Sequence, residues 1–128
     1  MNTADIVLLS VLGMAIWILG TLYYAQAGAR VLETTRRRYW FNFVLSPVLS
    51  AIFCIAIFRW RHIPAANWAS AALLIAIPGM IGEAIVLTNF AAFLPKLQMA
   101  SGGRYAAFLF AAYALVLGAA EIVTLQSR

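Results

Sequence analysis

Apolar residues run through this chain in four blocks, each about as long as the roughly 20 residues a helix needs to cross a bilayer. The blocks are about Ile6 to Ala25, Tyr39 to Phe58, Trp68 to Leu94 and Tyr105 to Leu125. Between them stand "ARVLETTRRR", "RWRHIPAAN" and "PKLQMASGGR", which supply charge, Pro or Gly where backbone groups can meet water. Within the blocks the backbone must satisfy its own polar groups, and the strands of so short a chain could not close a barrel. The pattern therefore predicts an all-α fold: one membrane domain over residues 1–128, a bundle of four transmembrane helices with antiparallel neighbours.

The third block has a different texture. At about 27 residues it exceeds what a bilayer requires, and Pro78 predicts a kink because it removes one backbone hydrogen bond and crowds the preceding turn. Gly79 and Gly82 follow, and with Pro78 they form a candidate hinge. Glu83 comes next, a carboxylate with no Lys or Arg near it in the sequence. Counted from Leu94 it lies about 11 residues, or roughly 17 Å, into the helix, near the midplane of the hydrocarbon. An ionised acid costs about 2.5 to 3.5 kcal/mol there, so Glu83 is expected either to hold a proton and bond a neighbour, or to face a wet cavity and exchange its proton for a cation.

The same depth count places Gly13, Trp17, Ser46, Ser50 and Tyr113 at the level of Glu83. Tyr113, whose hydroxyl needs a partner when buried, is the first expected partner for the acid. The candidate substrate- or proton-binding set is therefore Glu83, Tyr113, Trp17 and Ser50. In the first block Ser10, Gly13, Trp17, Gly20 and Tyr24 share one helical face, small enough for another helix to come close. Asn42, Ser46, Ser50 and Cys54 make a weakly polar stripe in the second, interrupted by Pro47. Ala107, Ala111, Ala114 and Gly118 form a small-residue seam in the fourth, with Glu121 near the bilayer edge. Packing between helices is the ordinary use of such faces.

Aromatic residues at the block ends, namely Tyr23, Tyr24, Tyr39, Trp40, Trp60, Trp68 and Tyr105, read as interfacial anchors. Basic residues set the sidedness: Arg30, Arg36, Arg37, Arg38, Lys96 and Arg104 lie on the first and third linkers, against Arg59, Arg61 and Arg128 opposite. That bias predicts the first and third linkers in the cytoplasm.

Composition narrows the function classes. The chain has 128 residues, of which 65% are hydrophobic and 10% charged, with a net charge of +5 carried mostly between the apolar blocks. Such charge suits lipid headgroups better than nucleic acid, so the bilayer is the expected partner and nucleic acid is not. One cysteine, Cys54, supports neither a disulfide within the chain nor a thiolate zinc site, and reads as a small buried hydrophobe. His62 has no second metal ligand nearby and no nucleophile and base can be paired by spacing, so no metal, cofactor or enzymatic activity is expected. The N-terminus lacks the basic start of a cleavable signal peptide and is expected to stay as the first span.

"IPGMIGEAIVLTNFAAFLPKL" with "GGRYAAFLFAAYALVLGAAEI" resembles a family of small bacterial four-span membrane proteins known only as a domain of unknown function. The likeness rests on the Pro-Gly pair, the acid beyond it, the end at Pro95 and an aromatic fourth span containing Tyr113; "GMAIWILGTLYY" is similar more faintly. It implies a multi-pass bacterial inner-membrane protein and no particular activity. In size and span count alone the chain is similar to small multidrug resistance transporters, whose membrane acid lies in the first span, where this chain has none after Asp5. The functional expectation is proton- or cation-coupled transport of a small solute through Glu83, by a homo-oligomer or with a larger membrane partner. The rival is a non-transporting accessory or structural subunit in which Glu83 is a protonated donor between helices.

Overall fold

The computed structural model describes residues 1–128, the side chain of Val31 excepted. Five α-helices follow in order: α1 (Thr3–Leu32), α2 (Arg36–Trp60), α3 (Trp68–Thr88), the single turn α4 (Phe90–Phe93) and α5 (Gly102–Gln126). One 3₁₀ turn at Ala65–Asn67 leads into α3 and another at Met99–Ser101 into α5. Four helical segments are long and apolar enough to cross a membrane, which makes this a membrane protein and its fold a four-helix bundle.

Local chemistry fixes the helix ends. Asn2 caps α1 by accepting from the Asp5 N–H at 2.8 Å, and the Asp5 side chain reaches back to the Asn2 N–H. Asp5 also holds Arg61 at the far end of α2, through Nη2 at 2.7 Å and Nε at 3.0 Å. At the end of α2 the Ile63 N–H donates to the Phe58 carbonyl at 2.9 Å, and His62 takes the left-handed conformation there, with φ of 53°. His62 thus has a structural task in closing a helix. Replacing it by Gly relieves a left-handed side chain that costs about 1–2 kcal/mol. The added chain entropy offsets about 0.4–1 kcal/mol of that. His62→Gly is expected to raise unfolding stability slightly in detergent; a loss would mean that the imidazole itself supports the turn.

Consecutive long helices run antiparallel, as their short linkers require, and packing adds two parallel pairs. Gly13 and Trp17 of α1 lie on Ile75, Gly79 and Gly82 of α3, so these two helices rise together. Tyr39 and Phe43 of α2 meet Phe108 of α5, with ring centroids 5.4 and 5.5 Å apart. α3 and α5 pack antiparallel, and Thr124 near the end of α5 bonds the start of α3, accepting from the Ala69 N–H at 3.0 Å and donating to the Ala65 carbonyl at 3.1 Å. The neighbour order is therefore α1, α3, α5, α2, and α1 touches α2 only sparsely.

Two apolar clusters fill the bundle. At the end bearing the chain termini, Leu9, Cys54, Phe58, Ala71, Ala72 and Ile75 are buried together, which is the role expected for Cys54. At the opposite end, Leu32, Val86, Phe90, Leu94, Leu97, Tyr105 and Phe108 form the second cluster.

The third block departs from its expected length. The helix runs through Pro78 without interruption and ends at Thr88, with Asn89 at φ −122° and ψ 49°, six residues before Leu94. Phe90, Leu94 and Leu97 then fold inward as a cap over the bundle end. Polar contacts fasten the cap: Lys96 Nζ donates to Gln26 Oε1 at 2.8 Å, the Gln98 N–H to Glu33 Oε1 at 3.0 Å, and Arg104 Nη1 to the Leu32 carbonyl at 2.8 Å. The Arg104 guanidinium also lies 5.1 Å from the centre of the Tyr39 ring.

Candidate functional site

Glu83 is buried, with 7% of its surface exposed, on the face of α3 that meets α1 and α5. Its Oε2 accepts a hydrogen bond from the Tyr105 hydroxyl at 2.7 Å. Among the described residues no Lys, Arg or His pairs with it. The second apolar cluster, with Phe90, Leu94 and Leu97, closes the bundle between this pair and the nearer linkers.

The bond to Tyr105 corrects two expectations. Tyr113 is not the partner of Glu83: its hydroxyl sits over Gly79, the position one helical turn before the acid. Tyr105 is not an interfacial anchor either, because it is 0% exposed. Both follow from the early end of α3. Glu83 lies five residues, about 8 Å, from Thr88, instead of the roughly 17 Å reckoned from Leu94, so its depth is well short of that count. The register of the antiparallel α3 and α5 pair slides accordingly, and the residue that faces Glu83 comes from the first turn of α5.

Trp17 does reach the site. Its indole occupies the space beside Gly82, where any β-carbon would collide with the ring. Gly79 is likewise the place where Tyr113 and Trp17 come in. Both glycines therefore serve here as seats for aromatic side chains of other helices, whatever freedom they lend the helix around Pro78. Trp17 Nε1 is buried without a hydrogen-bond partner, and so is Thr21 Oγ1 one turn further along α1. Two buried donors left unpaired are costly and uncommon, and they mark this wall of the bundle.

Tyr24 completes the wall, its ring edge-on to Tyr105 with centroids 5.1 Å apart. Ser50 does not join the cluster: its hydroxyl donates to the Ser46 carbonyl of its own helix at 3.0 Å. It lines instead a cleft of about 330 Å³ between α1 and α2, together with Tyr23, Tyr24, Asn42, Ser46 and Phe108. Thr21 and Tyr105 are the members that sequence reasoning missed. Thr21 was legible as a lone hydroxyl four residues after Trp17; Tyr105 was hidden by its place at a block end.

This geometry separates the two tyrosines experimentally. Tyr105→Phe removes the donor on a buried carboxyl group and is expected to cost about 1–3 kcal/mol of stability. Tyr113→Phe takes nothing from Glu83 and is expected to stay within about 0.5 kcal/mol of the parent. Equal losses in detergent unfolding would contradict the assignment.

Comparison with known sequences gives one family. The model described as "Family of unknown function (DUF5367)" matches residues 31–127, which include Glu83 and Tyr105 and leave out Trp17, Thr21 and Tyr24. No curated protein matches the chain. No solved structure matches it.

Proposed function

We propose a function for a chain that belongs to the DUF5367 family, whose description carries no activity: it is a proton- or cation-coupled carrier of a small solute, with Glu83 as the exchanging group. The observation that supports this reading most is a buried carboxyl group without a cationic partner, bonded by one tyrosine and flanked by two unpaired donors on α1. An intramembrane acid of this kind is costly when ionised, and such residues mark ion and proton pathways. Protonated, it is neutral and tolerates the closed bundle. Deprotonated, it needs a positive charge, and a solute cation can supply one. Tyr105 holds the carboxyl group in either state, because its hydroxyl donates to an acid or to a carboxylate.

The sidedness that goes with this reading puts the first and third linkers in the cytoplasm of a bacterial inner membrane, and with them the cap of Phe90, Leu94 and Leu97. The cap then closes the cytoplasmic approach to Glu83, and its fastenings at Lys96, Gln98 and Arg104 would have to loosen for exchange on that side. Purified protein in liposomes with an imposed pH gradient tests the carrier. Uptake of organic cations driven by the gradient, above that of protein-free liposomes, is the expected result. No gradient-driven uptake across a panel of such cations would overturn it.

A second reading has one observation in its favour. Glu83 already has a hydrogen bond and a covering of apolar side chains, which suits a permanently protonated tie between α3 and α5 in an accessory or structural membrane subunit. Copurification with a larger membrane partner, together with absent flux, is the outcome that this reading expects.

A further inference from the structure

The cleft between α1 and α2 holds a feature that helix packing leaves unexplained. Asn42, Ser46 and Ser50 descend one side of α2 and line it, about 9, 15 and 21 Å along the helix from Arg36 at its start. Tyr23 and Tyr24 face them from α1, and these two helices scarcely touch. Interhelical hydrogen bonding is the usual use of such a stripe, yet Ser50 is turned back on its own helix and the neighbouring helix stands off. An acyl chain in the cleft would suit Leu45 and Leu49 but would leave the Asn42 amide facing hydrocarbon, at several kcal/mol if unsatisfied, whereas Ser50 already bonds the Ser46 carbonyl. Water or a polar solute would satisfy the amide. The volume, about 330 Å³, falls in the range of small-ligand sites.

No charged side chain lines the cleft. The acid behind it does give it a sign: Tyr24 lines the cleft and packs edge-on against Tyr105, whose hydroxyl is bonded to Glu83. Aromatic side chains in the lining and a carboxyl group beyond suit a positive charge carried on an apolar body. We propose that the α1–α2 cleft is a hydrated binding site for a small organic cation, entered from the end of the bundle bearing the first and third linkers and coupled to Glu83 through Tyr24 and Tyr105. The proposal rests on the carrier reading of Glu83 and deepens it by naming the solute class and its place of entry.

Thiol labelling in liposomes tests it. In a Cys54→Ala background, Ser46→Cys places a thiol in the cleft, and Val44→Cys places one on the exposed face of the same helix. A membrane-impermeant trimethylammonium methanethiosulfonate should label position 46 at least about tenfold faster than position 44. Benzyltrimethylammonium should slow labelling at 46 by a similar factor, and adding Glu83→Gln should abolish that protection while leaving the labelling itself. Equal labelling at both positions would mean a lipid-filled cleft and would overturn the proposal. Fast labelling that the cation does not slow would also overturn it, as a wet cleft without a cation site. Protection in a protein that shows no gradient-driven uptake would retain the site and sink the carrier reading alone.

Discussion

Glu83→Gln is expected to leave the bundle folded and to reduce gradient-driven cation uptake to the level of protein-free liposomes. A carboxamide has nearly the size of the carboxylic acid and keeps an oxygen that can accept from the Tyr105 hydroxyl, so the 2.7 Å contact has a substitute. Unfolding stability should therefore change by less than about 1.5 kcal/mol. What the amide cannot do is lose a proton. A solute cation then has no exchanging charge to bind, and a pH gradient has no group through which to act. Wild-type uptake with retained folding would contradict the role assigned to Glu83. A variant that fails to fold would favour the structural tie between α3 and α5. Glu83→Asp supplies the complementary arm: it keeps a titratable group, shortens its reach to Tyr105, and is expected to retain coupling at a reduced rate.

Gly13→Ala is expected to lose as much stability as Tyr105→Phe, by a different route. A β-carbon at Gly13 would collide with the backbone carbonyl of Ile75, which cannot rotate aside as a side chain can. α1 and α3 would have to separate, and the Trp17 indole one turn further along would leave its seat on Gly82. Overpacking of this kind costs about 1–3 kcal/mol. The opposite sign is expected at Gly118, where a β-carbon meets nothing and alanine gains about 0.5–1 kcal/mol of helix preference. Thermal or denaturant unfolding in micelles checks both. A neutral Gly13→Ala would mean that α1 is not held closely against α3. Since Gly13 lies far along α1 from Tyr105, that variant should also lower cation uptake only through the displaced indole, whereas Glu83→Gln acts without moving the helices.

Much of this arrangement is written in the residue pattern, because a bilayer leaves a backbone few choices. The four blocks and the linkers between them could be marked from hydropathy alone, and the isolated carboxylate at Glu83 announced the site. Of the stripe Ser10, Gly13, Trp17, Gly20 and Tyr24, Gly13 and Trp17 did mark the face of α1 that meets α3, while a β-carbon at Gly20 would meet nothing. Hydropathy could not locate the end of α3, since "VLTNFAAFL" is apolar on both sides and only Thr88 and Asn89 interrupt it. From that hidden break came the misplaced depth of Glu83 and the choice of Tyr113 over Tyr105. Position at the edge of a block likewise says where a ring stands along the bilayer normal, not whether it points inward, and Tyr105 points inward because the cap folds over it. The separation of α1 from α2 was beyond the pattern altogether, being set by how four helices share their faces.

Proton release on solute binding tests the central claim most directly. A pH indicator in weakly buffered micelles would report about one proton released per protein chain when benzyltrimethylammonium saturates the wild type, and none from Glu83→Gln. The same release from both proteins, or none from the wild type while the cation demonstrably binds, would contradict Glu83 as the group that trades its proton for the solute.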